Sequence, residues 1–237
     1  MGNAGSRKIV SKHSKKLASA LYDNENMGAP TLEADPDYPV VITLARDYGA
    51  DAHEIGIALQ ERLGIPLYDN ELLIRAAQRS DTVVDKVAVY DERVSAEMMA
   101  FLPDRFDSRT VGDQLYGALK QVIQDVGFTE SCIIIGRLSD YILRDNPNCI
   151  NVLVTAPFEE RVALVAKRRG IDRRRAQKVV KSMQKNRELF YKRYSAGKAK
   201  LHGGKDLVVN RALFGCEGCS DIIARAYEVK MRELGRA

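Results

Sequence analysis

Apolar residues in this chain gather into short unbroken runs that alternate with amphipathic stretches. VVITLA (40–45) is rich in β-branched residues and bounded by Pro39 and the turn-forming Arg46-Asp47-Tyr48-Gly49. Such a run reads as a strand buried on both faces, here the central one. Ile55, Ala58, Leu59 and Leu63 then recur at helical spacing, and Gly64 stands where a helix C-cap belongs. IPLY (65–68) predicts a second strand and NELLIRAAQRS (70–80) a second helix. Residues 81–109 are acidic and irregular. TVGDQLYGALKQVIQDVG (110–127) places Val111, Leu115, Leu119, Val122, Ile123 and Val126 on one helical face, and CIIIG (132–136), INVLVT (150–155) and DLVVN (206–210) complete a set of five strands. Strands alternating with helices imply an α/β protein with a parallel sheet covered on both faces. Ligands of such sheets sit beyond the carboxyl ends of the strands. The loop 46–54, the pair Gly136-Arg137 and the turn after Thr155 all fall there. No repeat of 20–50 residues occurs, which excludes a solenoid.

The 237-residue length suits one large domain, expected at 39–237, with an attachment at 1–38. With 45% hydrophobic and 29% charged residues, and no apolar run near the roughly 20 residues that cross a bilayer, the composition is that of a soluble globular protein. Four cysteines are too few for a disulfide scaffold, so a reducing, cytoplasmic compartment is expected. Cys216 and Cys219 form one C-x-x-C, but zinc needs two further ligands, and His13, His53 and His202 lack finger-like spacing. They read as loop cysteines without a chemical role. Residues 1–38 lack periodicity and read as a mobile tail. Its start, MGNAGS, fits an N-myristoylation pattern at Gly2, with Arg7, Lys8, Lys12, Lys15 and Lys16 as an electrostatic supplement. A plain solvated tail is the expected alternative, and a membrane is not an expected partner.

Charge changes the picture more than composition does. Residues 39–160 carry eleven basic and twenty acidic side chains, whereas 161–200 carry fifteen basic and two acidic. Positive charge concentrated in one segment calls for a polyanion. A phosphate-binding turn needs inward amides and a following helix N-terminus. Gly49 permits that turn. The lysine and hydroxyl of G-x-x-x-x-G-K-[ST] are missing, however: Ala52 takes the lysine position and Glu54 the hydroxyl position.

The stretch ITLARDYGADAHEIGIALQERLGIPLYDNELLIRAA (42–77) resembles the N-terminal signature of the cytidylate kinase-like proteins, I-S-R-E-Y-G-S-G-G-R-E-I-G followed by a helix and G-I-P-F-Y-D. CIIIGRLSDYIL (132–143), NVLVTAPFEERVALVAKRRGI (151–171) and KNRELFYKRYSAGK (185–198) resemble it in the same order, so the likeness covers about 39–230. The resemblance implies a three-layer P-loop NTPase or nucleoside monophosphate kinase-like fold, with an acceptor-binding insertion at about 70–130 and a helical lid at about 168–198. It also makes Glu54 an expected residue, a carboxylate able to hold magnesium, with Arg46 supplying positive charge across the turn. Ala50, Asp51, Ala52 and His53 depart from the family's Ser, Gly, Gly and Arg. A carboxylate about 4 Å from a phosphate charge costs about 1 kcal/mol in water and about 4 at a partly buried site. Asp51 therefore either points to solvent or faces the phosphate through a metal.

The resemblance further implies that Arg137 grips the acceptor phosphate, for which a guanidinium is suited. Asp140 then contacts the base or the arginine; a structural Arg–Asp pair is the alternative. In the lid, Ala176, Val179, Val180, Met183, Phe190, Tyr191 and Tyr194 form the apolar stripe. Arg168, Arg169 and Arg187, with Lys185, are the cations expected at a transferring phosphoryl group. Arg173, Arg174, Arg175, Lys178 and Lys181 read as a solvated face. The implied activity is transfer of the terminal phosphoryl of ATP, with Mg2+, to CMP or dCMP. A binding module that no longer turns over ATP is a second reading. RNA binding with Tyr191 and Tyr194 as stacking platforms is a third, but no RNA-binding motif accompanies it, and nucleic acid is not an expected partner.

Overall fold

Side chains of the first strand divide alternately between two cores. Val40, Ile42 and Leu44 enter one, and Val41 enters another on the opposite face. The computed structural model describes residues 33–69, Leu72 and residues 108–236. Its five described strands are β1 (Val41–Arg46), β2 (Leu67–Tyr68), β3 (Cys132–Ile135), β4 (Cys149–Thr155) and β5 (Leu207–Asn210). They form one sheet in the order β2-β3-β1-β4-β5, with every pairing parallel. The same alternation recurs in β3, where Ile133 and Ile135 face the first core and Cys132 and Ile134 the second. That strict period of two, with both faces apolar, is why the runs look continuous in sequence.

Helices α1 (Ala52–Leu63) and α6 (Arg211–Glu233) cover the first face through Ile55, Leu59, Ile223, Ala224 and Tyr227. Helices α2 (Ser108–Gly127) and α3 (Ser139–Ile142) cover the second through Leu119, Val122, Ile123, Val126 and Ile142. Each fully buried Ile or Leu of this kind stabilises by about 1.5–3 kcal/mol. The chain is thus a three-layer α/β fold with β1 in the middle, as its apolar run predicts. Gly64, at φ 64°, caps α1, its N–H donating to Gln60 O at 2.9 Å.

A helical hairpin, α4 (Phe158–Arg169) and α5 (Arg173–Tyr194), stands at the carboxyl end of the sheet. Phe158, Val162 and Val165 supply half of its core, against Ala176, Val180 and Met183. Farther along α5 the apolar stripe turns to the sheet: Tyr191 is buried, and Tyr194 stacks on Tyr116 with centroids 4.1 Å apart. Core packing therefore occupies both tyrosines. Cys216 and Cys219 are not loop residues; both lie in α6, past a kink at Gly215, and Cys219 is fully buried in the core. The expected helix at 70–80 and most of 81–109 lie outside the described residues, as does the tail up to 32. No helix among the described residues is long and apolar enough to cross a membrane.

Candidate functional site

The chain leaves β1 through a turn held by its own backbone, Ala50 N–H donating to Asp47 O at 3.2 Å. Gly49 takes φ 83°, and a Cβ there would meet Arg161 O at 3.0 Å and Val165 Cγ2 at 3.1 Å, so glycine is required both for conformation and for the close approach of α4. Asp51 follows at φ 68° and ψ 29°, at the N-cap of α1, and its side chain makes no capping bond. The first intrahelical bond is Ile55 N–H to Asp51 O, so Ala52, His53 and Glu54 have amides without an intrahelical acceptor. Those amides and the positive end of the helix dipole suit an anion.

A cavity of about 190 Å³ opens at this turn. Arg46, Asp47, Tyr48, Gly49, Asp51, Ala52 and His53 line it from the turn, and Arg168, Arg169 and Arg187 from the hairpin. Tyr48 anchors the two parts. Its ring is buried in the hairpin core, its hydroxyl accepts from Arg169 Nη2 at 2.7 Å, and Arg187 lies over the ring at 5.0 Å. Arg187 Nη1 also donates to Arg46 O at 3.1 Å. Arg168 Nη1 is 2.5 Å from Asp51 Oδ1, and its Nη2 is 3.4 Å from Glu54 Oε1. The Asp51 contact is close, but Oδ1 has no aligned hydrogen-bond donor among the described residues. It is held by charge more than by direction.

Beside the cavity, Gly136, Arg137 and Leu138 all adopt left-handed φ values of 68°, 61° and 60°. For the two with side chains this costs about 1–2 kcal/mol each, offset in part by complete burial of Leu138. A Cβ at 136 would run into Arg46 Nη1, so this glycine makes room for the Arg46 guanidinium. Arg46 also approaches Asp69 at 3.9 Å, and His53 Nδ1 lies 3.1 Å from Asp69. Burial, and then the Arg46 cation, pull Arg137 down to about 10, with Asp69 opposing; it remains charged at neutral pH. Two arginines with one carboxylate between them leave a local excess of positive charge at the end of β3.

Under the turn, Asp47 accepts from Thr155 Oγ1 at 2.6 Å and Gln184 Nε2 at 2.8 Å, and pairs with His202 Nε2 at 2.7 Å. Burial opposes the Asp47 charge, yet bonds from His202 and Thr155 hold its carboxyl below the ordinary range. The same bond raises His202. Asp140 is engaged on both oxygens, by Tyr191 Oη at 3.0 Å and by the buried Lys205 Nζ at 2.5 Å.

Of the residues singled out in the sequence, Arg46, Gly49, Asp51, Ala52, His53, Arg168, Arg169 and Arg187 share the cavity wall. Ala50 does not; its side chain packs into the core beneath the turn. Glu54 stands at the rim through Arg168, and Arg137 is buried within the field of Arg46, outside the cavity wall. Asp140 braces α3 to the loop after α5 rather than facing the cavity. The structure adds Asp47, Tyr48, Asp69, Gln184, His202 and Lys205, none of which the sequence marks individually for a role in the site. Asp69 closes the IPLYD segment at a strand's carboxyl end, a placement that could have flagged it. His202 and Lys205 sit in an aperiodic loop and carry no comparable signal.

The sequence profile of the cytidylate kinase-like family matches residues 41–212. No curated protein sequence matches the chain. Among solved structures, an uncharacterized protein from Eubacterium ventriosum is 22% identical with a TM-score of 0.60, over 80% of this chain and 98% of that one. TT1252 from Thermus thermophilus is 16% identical at a TM-score of 0.49, over 80% and 98%. Shikimate kinase from Acinetobacter baumannii, solved with shikimate, is 11% identical at 0.48, over 81% and 95%. The first of these likenesses supports the fold; the family match spans most of the chain and includes both the turn after β1 and the hairpin. This chain belongs to the cytidylate kinase-like family.

Proposed function

We propose that the protein is a nucleoside monophosphate kinase-like phosphotransferase that moves the terminal phosphoryl of ATP to CMP or dCMP. The observation that carries this reading is the cavity at the carboxyl end of β1, where a helix N-terminus meets Arg168, Arg169 and Arg187. Phosphoryl transfer needs mainly positioning and neutralisation of charge. The amides of the turn hold the donor phosphates, and the hairpin arginines stabilise charge on the transferring group. Arg46 receives the acceptor phosphate beside Asp69, and the buried Arg137 adds positive charge from outside the cavity wall. Asp140 acts on this acceptor side only indirectly, through Tyr191 and Lys205. Magnesium is commonly held by one or two carboxylates plus substrate phosphates, and Glu54, half-exposed in the first turn of α1, fits that sparse protein donor set. The ion would bring charge neutralisation between the phosphates. The family membership supports a kinase-like protein that takes small nucleotides; the acceptor base and the use of ATP belong to this proposal.

The test is ADP release from Mg-ATP with each nucleoside monophosphate in turn. Turnover fastest with CMP or dCMP, falling about 100-fold or more in Arg187→Gln, is the expected result, since removing one charge-stabilising donor typically costs that much. A second reading, a nucleotide-binding module without turnover, is favoured by the Asp51–Arg168 contact. Saturable nucleotide binding with no ADP release above background would select it.

A further inference from the structure

An aspartate at a helix N-cap ordinarily turns its carboxylate back onto the amides of its own first turn. Asp51 does not. Its left-handed backbone, at φ 68°, sends the side chain away from those amides and toward the hairpin, where it meets Arg168. The carboxylate is nearly buried, with 8% of its side chain exposed, and both it and Arg168 line the same cavity. An anion is thus already present at the mouth of the phosphate turn, next to a guanidinium from the hairpin. The cavity left over, about 190 Å³, is below the roughly 300–1,000 Å³ of sites that bury a drug-sized ligand.

We propose that the Asp51 carboxylate is an internal stand-in for a phosphate group: it occupies Arg168, and a phosphate ligand binds only by displacing it from that arginine. The idea rests on the phosphate-binding reading above and adds a built-in competitor to it. The lack of an aligned hydrogen bond at Oδ1 favours exchange, because a phosphate offers Arg168 a bidentate, more highly charged partner than a carboxylate held by charge alone. Glu54, the other carboxylate on Arg168, is half-exposed and farther away, so it hinders exchange less. The donor site is therefore closed at rest and opens in exchange for a strong polyanion.

The experiment measures the Kd of inorganic tripolyphosphate and of Mg-ATP for the full chain and for Asp51→Asn, Arg168→Gln and the double variant. Asparagine tolerates the left-handed backbone, and thermal melting verifies that each variant folds. If Asp51 competes for Arg168, Asp51→Asn tightens both ligands by about tenfold or more, within the usual range of coupling between sites, and the gain largely disappears when Arg168 is already glutamine. An equal gain in both backgrounds overturns the inference, since simple repulsion of phosphate by a nearby carboxylate does not depend on Arg168. Equal affinity of the parent and Asp51→Asn also overturns it, while leaving the phosphate-binding reading intact. Absence of any binding in all four proteins overturns that reading, and the inference with it.

Discussion

At the residue scale, the site is tied together by charges that neighbouring groups hold in place. Asp47 and His202 hold each other's charged forms, in opposite directions from their ordinary values of 3.8 and 6.5. A raised histidine contributes stability that is complete below the unfolded value and fades as pH rises through the folded one; a lowered aspartate contributes above its unfolded value and fades as pH falls through the folded one. The pair is accordingly worth most from about pH 4 to 6.5. His202→Gln should flatten the decline in unfolding free energy as pH rises above 6.5, measured by urea titration at a series of pH values. An unchanged slope across that window would show that the bond is not what ties the loop to the turn. The sequence offered no cue to this bond, since its partners lie 155 positions apart and neither belongs to a periodic stretch. Asp51, by contrast, is conspicuous in the sequence, because a carboxylate is chemically discordant in a turn of the shape that suits an anion. What could not be read was its orientation, which follows from a backbone angle.

At the scale of elements, one aromatic ring sits at the centre of the contacts that fasten the hairpin of α4 and α5 to the turn after β1. Tyr48 leaves the turn, enters the hairpin core beside Val162, Val165 and Met183, and carries Arg169 and Arg187 on its hydroxyl and face. Gln184 adds two bonds from α5, accepting from Tyr48 N–H and donating to Asp47. Tyr48→Ala should cost about 2–4 kcal/mol of stability, by analogy with other large-to-small core changes. It should also make 158–194 cleave faster in limited proteolysis than the rest of the domain. Uniform protection along the chain would mean that the hairpin is held without the ring. The helices themselves were legible: Ala176, Val179, Val180 and Met183 repeat at helical spacing and are buried or partly buried where that spacing puts them. The site residue Tyr48 was not, since an aromatic in a turn has no period from which to infer its partner.

At the scale of the whole molecule, charge is distributed as unevenly in space as in sequence. The segment 161–200, with fifteen basic and two acidic residues, forms most of the hairpin that faces the turn after β1. Its field should draw anions toward the carboxyl end of the sheet. Association of ATP, followed by stopped-flow, is expected to slow severalfold as salt rises from about 0.01 to about 0.15 M, because the screening length falls from about 30 to about 8 Å. A salt-independent rate would leave the basic segment as a solvated face with no part in capture.

The sequence by itself determined the layered architecture of this protein. Apolar runs at period two, helical stripes at period 3.6 and a glycine at the end of α1 are local properties, and each element forms where its own residues call for it. Membership of the cytidylate kinase-like family was likewise legible, because ordered motifs survive in one dimension. Only the tertiary structure decided which charges meet. Arg168 reaches Asp51 and Glu54, Arg137 feels the charge of Arg46, and Lys205 neutralises Asp140 because strand order and left-handed turns bring distant segments together. Electrostatic pairing depends on distance in space, which no periodicity along the chain records.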